Sequence, residues 1–511
     1  MTEPAGQPSV AGDGAPPTCP TPYNLAEDVL KAGRSTPDKT ALCVIGNGAP
    51  DLWSYGRLST AVGAAAAALL AEGLRPGDRV LLRLGNGVAF PIAFLGAVTA
   101  GLIPVPTSAQ LTKTEIAGIA DFLAPCLVVA SPEVSVPPGR PVISDKRVLS
   151  APRPDGEVQF AQGPPDRLAY IVLTSGTSGK PRAVAHAHRA HHARRMMWKG
   201  WYGLTRNDRV LHAGAMNWTF TLGTGLLDPW TAGATALVPG GGTPIDRLPD
   251  LLKDYDATIF AAAPGVYRKL LNSDTAWELP RLRHGLCAGE TLPHGLREAW
   301  RKATGTELHE AYGQSECSTL ISGCPDRPAP EGTTGFAQPG RRVAVVNSGG
   351  VPLPRGKSGR LVIGVRDPGL MLGYLSELGA APSRSGAWHE TGDDAIMRDD
   401  GAIRILGRND DVLNAGGYRV SPEDIESVLC QYPAVTEAAA VEVAVKADTT
   451  VIAAYFVSHQ AIDIASLASF ASDRLAGYKM PRILKQIESL PRGANGKLQR
   501  ARLRKRMETP I

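Results

Sequence analysis

The sequence predicts an α/β fold in which a large N-terminal domain of layered α/β subdomains precedes a small α+β C-terminal domain. Helix-like and strand-like stretches alternate from Tyr23 to about Ala130 and resume after residue 166, which is typical of a largely parallel sheet covered by helices. After Arg408 this alternation gives way to a charged turn and a mixed pattern. The length of 511 residues also exceeds what one hydrophobic core usually holds.

The first half of the chain alternates helices with strands. The alanine-rich residues 58–74 predict a helix that ends at a Gly73 cap, and PGDRVLLRL predicts a turn followed by a buried strand. FPIAFLGAVTAGLIPVPT repeats this order of helix and strand. Residues 131–166 are rich in proline and weakly periodic, which indicates a surface connection before a strand at residues 167–173.

The second half continues the pattern and then changes. GATALVP, YDATIFAAAP and RLRHGLCAGE predict further strands, whereas GRLVIG and GAIRILGR predict short strands of an antiparallel section. We place a domain boundary at Asp410, so that residues 23–409 form the N-terminal domain and residues 410–511 the C-terminal domain. Residues 1–22 are rich in proline and glycine and are expected to be a disordered leader.

Composition is that of an ordinary soluble globular protein. The net charge of +5 is small and the basic residues are scattered, so nothing demands nucleic acid or an acidic membrane as partner. Seven cysteines without a C-x-x-C pair argue against a disulfide framework and a zinc site, and favour a reducing cytoplasm. A signal-peptide pattern and a membrane-spanning apolar run are both absent from the sequence.

A loop after the strand at residues 167–173 has the composition of a phosphate-binding site. In TSGTSGKP, glycines let backbone N–H groups converge on an anion, hydroxyls donate to its oxygens and a lysine adds charge. The spacing is not that of a P-loop ATPase, because Pro181 replaces the Ser or Thr that binds magnesium there. Taken alone, the stretch fits a phosphate cradle or a flexible connection. The candidate residues are Thr174, Ser175, Gly176, Thr177, Ser178, Gly179 and Lys180.

Further short motifs follow this loop in order. They are CAGETLP (287–293), AYGQSE (311–316), TGD (391–393), GRNDDVLNAGGYRVSPEDIE (407–426) and PRGANGKLQR (491–500). With the loop, they resemble the signatures of the adenylate-forming superfamily, which includes acyl-CoA synthetases, adenylation domains of peptide synthetases and luciferases. The resemblance covers nearly the whole chain after about Tyr23. Details such as LAGYKMPR and KLQRARLRK look most like medium-chain and aromatic acyl-CoA ligases.

The resemblance implies activation of an acid in two steps. A carboxylate attacks the α-phosphorus of ATP with loss of pyrophosphate, and the acyl-adenylate then reacts with a thiol. Lys497 matches the catalytic lysine, Glu316 the ligand of Mg²⁺, and Ser315 a donor to the α-phosphate where the family usually has threonine. The other residues that the resemblance assigns to ATP are Gly289, Glu290, Thr291, Tyr312, Gly313, Asp393, Arg408 and Arg419.

Several members of this set have defined expected roles. Tyr312 is expected to stack on adenine, while the backbone of residues 289–291 lines the base. Asp393 is expected to accept hydrogen bonds from the ribose hydroxyls, because a carboxylate offers two acceptor oxygens, and Arg408 is expected to support the same sugar.

The resemblance also implies that the C-terminal domain is mobile. Asp410 matches the hinge about which that domain rotates after it has delivered Lys497 for adenylation. Gly416 and Gly417 would then let the pantetheine chain of coenzyme A pass close to the backbone.

The segment HAGAMNWTFTLGTGLLDPW suggests the kind of acid. It has no acidic residue near Trp218, where domains that select amino acids place an aspartate for the α-amine, so an uncharged acyl group is expected. Trp218 is expected to line the acyl pocket, although such a residue also fits an ordinary core. Gly313 stands where acetyl-CoA synthetases have tryptophan, which is expected to leave room for a medium-chain, branched or aromatic acid.

The sequence thus favours an ATP-dependent acid–CoA ligase. The alternatives are a free-standing enzyme that loads a carrier protein, a luciferase-like oxygenase, and a catalytically inactive nucleotide-binding paralogue. Because Lys497, Glu316, Asp393 and Arg408 are all intact, the last alternative is disfavoured. The expected partners are the carboxylic acid, ATP and coenzyme A, without nucleic acid or an integral membrane; a homodimer is the candidate assembly.

Overall fold

The N-terminal part of the chain consists of mixed α/β layers. The computed structural model describes residues 7–508 apart from 13–14, 47, 154–155, 176–180, 272–275, 291, 293, 378–386, 409–412, 416–417, 447–448, 476 and 494–497. Its N-terminal helices are α1 (Leu25–Lys31), α2 (Tyr55–Ala71), α3 (Ala89–Thr99), α4 (Lys113–Leu123), α5 (Asp145–Leu149), α6 (Arg189–Ala193), α7 (Asp228–Ala232), α8 (Leu248–Asp254), α9 (Pro264–Leu270) and α10 (His294–Thr304).

The strands of the N-terminal part belong to several sheets. They are β1 (Val10–Ala11), β2 (Thr40–Ile45), β3 (Asp51–Ser54), β4 (Arg79–Arg83), β5 (Ile103–Pro106), β6 (Leu127–Ala130), β7 (Val142–Ser144), β8 (Leu168–Ser175), β9 (Pro181–Ala187), β10 (Arg209–His212), β11 (Thr235–Pro239), β12 (Ile259–Ala262), β13 (His284–Ala288), β14 (Glu307–Gln314), β15 (Ser318–Ser322), β16 (Phe336–Ala337), β17 (Val343–Val346), β18 (Ser358–Gly364), β19 (Gly373–Tyr374), β20 (Trp388–Met397) and β21 (Ile403–Arg408).

Two of these sheets confirm the predicted parallel arrangement. One has the order β16-β15-β14-β13-β12-β10-β11-β2-β3, parallel from β14 to β2 and antiparallel at both edges. The other, β5-β4-β6-β7, is parallel throughout. The sheet β1-β17-β18-β20-β21 is antiparallel, as GRLVIG and GAIRILGR predicted.

The predicted alanine-rich helix is α2, shifted by three residues toward the N-terminus. Ser54 caps it, because its hydroxyl accepts a hydrogen bond from the backbone N–H of Arg57 at 3.2 Å. Gly73 has φ +84° just beyond the last turn, which confirms its expected role in ending the helix. Helix α3, which follows, is buried along its whole length, and the apolar cluster around α2 and α3 joins the two parallel sheets.

Two regions expected to lack regular structure contain some. Val10–Ala11 in the leader pairs antiparallel with β17, so the expectation of disorder over residues 1–22 is wrong at this point. The surface connection 131–166 contains β7 and α5, and Val148 of α5 is buried. The two strands have the same cause, because the pairing of β1 and β7 with a neighbouring strand does not depend on a hydrophobic pattern in the added segment.

The C-terminal part has cores of its own. It comprises β22 (Leu413–Ala415), β23 (Tyr418–Val420), β24 (Glu437–Lys446), β25 (Thr449–Val457), β26 (Ile483–Gln486), α11 (Pro422–Leu429), α12 (Ile464–Ser472) and α13 (Arg500–Glu508). Ile425, Leu429, Phe456 and Leu467 are buried in one cluster that draws only on residues after 412. A small α+β unit therefore follows the N-terminal domain, while the boundary at Asp410 lies outside the described residues and stays a prediction.

Candidate active site

The phosphate-loop motif joins two antiparallel strands. Thr174 pairs with Arg182 and Ser175 with Pro181, at the adjoining ends of β8 and β9. The predicted strand before the loop is therefore present, and the hairpin brings the two ends of the loop together. Gly176, Thr177, Ser178, Gly179 and Lys180 lie outside the described residues, so their role as a phosphate cradle stays a prediction.

Strand β9 also holds the turn that carries Ser315 and Glu316. His186 on β9 contacts the Ser315 carbonyl oxygen through Nε2 at 2.8 Å, and burial lowers the pKa of His186 to about 4. The ring is therefore neutral at pH 7, with its proton on the nitrogen that faces the carbonyl. Tyr374, which pairs with Val184 of β9, donates its hydroxyl to Glu316 Oε1 at 2.9 Å.

These contacts place Glu316, the predicted magnesium ligand, beside strand β9. The backbone N–H of Met371 donates to the Glu316 carbonyl at 2.7 Å, which holds the same turn from a third side. Sequence reasoning missed His186, Met371 and Tyr374, because they come from segments far from the AYGQSE motif. Ser315 and Glu316 are both partly exposed, so their side chains are accessible to a bound nucleotide.

Asp393 and Arg408, expected at the ribose, share a compact hydrogen-bond network with Tyr312, expected at adenine, and with Gln314. Tyr312 donates its hydroxyl to Asp393 Oδ2 at 2.5 Å, and Gln314 Nε2 lies 2.6 Å from the same oxygen. Arg408 Nε lies 3.4 Å from Asp393 Oδ1, opposite it on the neighbouring strand. Burial and the Asp393 carboxylate raise the pKa of Tyr312 well above its usual value, so the phenol stays protonated.

Gly289 and Glu290 lie at the other side of the candidate site. Glu290 is within 3.3 Å of Arg268 and within 3.6 Å of Arg492, so it contacts the C-terminal domain. Arg492 also pairs with Glu437 at 2.5 Å. Sequence reasoning did not identify Arg268 and Arg492, which link the expected adenine loop to the second domain.

Trp218 lies next to the expected adenine loop. A Cβ built on Gly289 would lie 2.8 Å from two atoms of the Trp218 ring. Trp218 packs edge-on against Phe220 with ring centroids 5.2 Å apart, and Phe220 stacks on Trp201. Trp218 remains partly exposed at the edge of this aromatic cluster, and its role as a wall of the acyl pocket stays a prediction.

Gly313 does not leave open space. A Cβ at this position would lie 2.5 Å from both the carbonyl oxygen of Ser318 and Cα of Thr319, on the adjacent strand β15. A side chain here would meet backbone, so the expectation that Gly313 opens the floor of the acyl pocket is wrong. The glycine instead permits close approach of the two strands at an irregularity in their register.

A buried ion pair adjoins the turn at Ser315. Arg194, the residue that follows α6, lies 2.6 Å from Asp228 on α7, whose side chain is fully buried. Tyr202 donates to Asp228 at 2.8 Å and Arg194 donates to Ser318. Either charge would be costly to bury without the other, so the two stay paired. The contacts of this pair connect α7 with β15 and with the residue that follows α6. Neither residue was singled out from the sequence.

Several predicted residues cannot be placed. Thr291, Asp410, Gly416, Gly417 and Lys497 lie outside the described residues, and the same holds for the side chains of Ser175 and Arg419. In the part of the chain that the structure describes, every helix is too short or too polar to cross a bilayer. The described residues also contain no cluster of three or more His, Cys, Asp or Glu side chains arranged to hold a metal ion.

The chain is similar to known enzymes over most of its length. Residues 29–375 match the AMP-binding enzyme family, and residues 424–497 match the AMP-binding enzyme C-terminal domain. Human mitochondrial acyl-coenzyme A synthetase ACSM2B is 31% identical, over 95% of this chain and 91% of its own length.

Solved structures agree with this match. The anthranilate CoA ligase AuaEII in complex with anthranoyl-AMP superposes with a TM-score of 0.86 at 25% identity, over 96% of this chain and 98% of that chain. A benzoate CoA ligase from Burkholderia xenovorans LB400 gives 0.81 at 27% identity, over 94% of this chain and 100% of that chain. Since both family regions align in order on this two-part fold, the chain belongs to the AMP-binding enzyme family and is an acyl-CoA synthetase.

Proposed function

We propose that this enzyme activates a medium-chain, branched or aromatic carboxylic acid with ATP and transfers the acyl group to coenzyme A, releasing AMP and pyrophosphate. The aromatic wall of Trp218 and Phe220 beside Gly289 is the observation that carries the acid class. An apolar wall favours larger acids over acetate, because each methylene that it buries contributes about 0.8 kcal/mol. The names of the similar benzoate and anthranilate ligases support the aromatic part of this range.

ATP would bind between Asp393 on one side and the loop at Gly289 on the other. Asp393 and Arg408 would contact the ribose, Gly289 and Glu290 would line adenine, and Tyr312 would cover the base. Tyr312 already donates its hydroxyl to Asp393, so its ring is fixed before the nucleotide arrives. The phosphates would extend toward the hairpin loop 176–180, where backbone N–H groups and Lys180 would bind them.

The donor set fits a magnesium ion bound mainly by substrate. Mg²⁺ commonly takes one or two protein carboxylates and completes its shell with phosphate oxygens and water. Glu316 supplies one partly exposed carboxylate, and Tyr374 orients it through Oε1. When bound, the ion would neutralise charge on the phosphates. We therefore propose Glu316 as its protein ligand.

The described residues position the groups that would stabilise the α-phosphate during adenylation. His186 and Met371 hold the Ser315–Glu316 turn, so that the Ser315 hydroxyl can donate to the α-phosphate as negative charge develops there. Lys497 would add the positive charge that the attacking carboxylate and the phosphate share. Rotation at Asp410 would then replace Lys497 by Gly416 and Gly417, which admit the thiol of coenzyme A. Arg419 would approach the phosphates in one of the domain orientations.

A reducing cytoplasm is the proposed location, since all seven cysteines are free. A homodimer remains a proposal, which light scattering on the purified enzyme would test.

A panel of carboxylates tests the reaction. Acetate, butyrate, hexanoate, isobutyrate, benzoate and anthranilate would be incubated with ATP and Mg²⁺, with and without coenzyme A, and pyrophosphate and thioester would be measured. We expect pyrophosphate release with hexanoate or benzoate and thioester only with coenzyme A. Pyrophosphate without thioester would favour the carrier-protein alternative, and no pyrophosphate with any acid would contradict the proposal.

Trp218→Ala tests the acid class separately. Loss of the indole should lower kcat/KM for the preferred acid by about tenfold or more, because burial of an apolar side chain contributes about 1.5–3 kcal/mol. The KM for ATP should stay nearly unchanged. Trp277→Ala is a matched control, because Trp277 packs against Trp300 in a different apolar cluster. Equal effects of the two variants would show that Trp218 belongs to an ordinary core.

A further inference from the structure

The carboxylate of Asp393 has more partners than the motifs account for. Besides the Tyr312 hydroxyl and Arg408, the side-chain amide of Gln314 lies 2.6 Å from Asp393 Oδ2. The same amide nitrogen lies 2.6 Å from the carbonyl oxygen of Thr391. Asp393 and Thr391 are both buried, so the amide bridges two acceptors that water does not easily reach.

Chemistry settles the orientation of the Gln314 amide. Its two neighbours at 2.6 Å, a carboxylate and a carbonyl, are acceptors without a proton to give. Only the NH₂ group can face both of them, and its two hydrogens are then fully used. The hydroxyl of Tyr312, 3.0 Å from the same nitrogen, keeps its own proton for Asp393.

This arrangement makes the two oxygens of Asp393 unequal. Oδ2 accepts from Tyr312 and from Gln314, and both contacts are short. Oδ1 has the longer contact of 3.4 Å to Arg408 Nε, and Arg408 also donates to the Thr391 carbonyl at 3.2 Å. Oδ1 therefore keeps lone pairs for an incoming donor, whereas Oδ2 has little capacity left.

We propose that Gln314 is a positioning residue that turns Asp393 so that Oδ1 faces the ribose, and that it thereby sets the preference for ribonucleotides. The inference rests on the proposed function, in which Asp393 accepts from the ribose hydroxyls of ATP. Without Gln314 the carboxylate would be held at Oδ2 by one donor instead of two, and it could rotate about its terminal bond. A mobile carboxylate binds a second ribose hydroxyl less favourably, because binding must then also fix the carboxylate in one orientation. The difference in affinity between ATP and a deoxy analogue should therefore be smaller.

The experiment compares ATP with 2′-deoxy-ATP and 3′-deoxy-ATP in pyrophosphate release with the best acid. For the wild type, we expect ATP to be preferred by about tenfold or more over at least one deoxy analogue, as hydrogen bonds to a charged partner contribute about 1.5–3 kcal/mol. Gln314→Met keeps the length of the side chain but removes both donors. The variant should raise the KM for ATP and reduce the preference for ATP over the deoxy analogue at least threefold. The effect on kcat should be smaller.

Gln338→Met is the matched control. Gln338 is a buried amide that donates to the hydroxyls of Ser322 at 3.0 Å and Thr319 at 3.3 Å, rather than to Asp393. It should leave the preference for ATP unchanged even if it lowers the melting temperature. Gln314→Glu offers a second variant, because its carboxylate would oppose Asp393 and should weaken ATP binding more than Gln314→Met does.

Two results would overturn the inference. One is a wild-type enzyme that uses both deoxy analogues as well as ATP. The other is a Gln314→Met variant with an unchanged preference for ATP over the deoxy analogues. Its loss of activity would then match that of Gln338→Met and would follow the loss of stability in each variant. A wild type that releases no pyrophosphate with any acid would instead contradict the proposed function on which the inference rests.

Discussion

The indole of Trp218 lies against the main chain of Gly289, so closely that a Cβ on the glycine would be 2.8 Å from the ring. Gly289 also has φ +100°, a conformation that other residues rarely adopt. The contact joins the segment proposed to bind the acid to the loop proposed to line adenine. Changes at Gly289 should therefore affect the use of both substrates.

Gly289→Ala should lower kcat/KM for both the acid and ATP by about tenfold or more. The new methyl group must displace the Trp218 ring, and the backbone strain adds a cost of about 1–3 kcal/mol. Steady-state kinetics of pyrophosphate release, with each substrate varied in turn, would measure this. Gly241→Ala is the matched control, because a Cβ there meets no atom within 4 Å and should leave both values unchanged. A loss confined to ATP would contradict the proposed link with the acid pocket.

Lys497→Ala should separate the two half-reactions. Adenylation builds charge between the carboxylate and the α-phosphate, so removal of the ammonium should reduce it by about a hundredfold or more. Thioester formation from supplied acyl-adenylate and coenzyme A should be nearly normal. Chromatographic assays of each half-reaction would measure the two rates. If both rates fell to the same extent, Lys497 would not have the role proposed for it.

Asp228→Asn should destabilise the N-terminal domain strongly. The side chain of Asp228 is fully buried and pairs with Arg194, so its loss would leave a buried guanidinium uncompensated. Breaking such a pair typically costs about 3–5 kcal/mol. Urea unfolding would measure the change. The exposed pair Arg301–Glu307 provides a control, because Glu307→Gln should barely alter the midpoint. Similar shifts in the two variants would contradict the importance of the buried pair.

Glu310 should make stability fall as the pH rises. Burial raises the pKa of Glu310 to about 7, and burial together with Glu310 raises the pKa of Glu423 to about 8. An unfolded chain titrates Glu near about 4.3. The folded state therefore binds more protons over this interval, and the stability present below about pH 4 is lost as the pH rises through 7. Arg297, near Glu310, and Arg404, near Glu423, oppose these shifts without reversing them.

Glu310→Gln should flatten this dependence. The amide oxygen can still accept from the backbone N–H of Leu292, which lies 3.0 Å from Glu310 Oε1, but the side chain no longer titrates. The free energy of unfolding, measured in urea from pH 5 to 8.5, should fall less steeply with pH than in the wild type. Identical slopes for the two proteins would show that Glu310 is ionised throughout this range.

Much of the fold could be predicted from local patterns. The order of helices and strands, the cap at Gly73 and the antiparallel pairing of GRLVIG with its neighbours depend on periodicity and turn residues, which nearby sequence determines. The strand formed by Val10 and Ala11 could not be predicted, because a partner more than three hundred residues away supplies its hydrogen bonds. The composition of residues 1–22 does not indicate that they pair with strand β17.

The same distinction applies to the candidate site. The sequence by itself determined which residues are proposed to carry the chemistry, since Glu316, Tyr312 and Asp393 belong to short ordered motifs. Only the tertiary structure decided what surrounds them: it placed Gln314 and Tyr312 on one oxygen of Asp393, Tyr374 on Glu316, and the backbone of β15 where Gly313 was expected to leave space. A motif indicates which residue types a reaction needs. The hydrogen-bond partners of those residues and the free volume around them depend on which distant strands become neighbours in the fold.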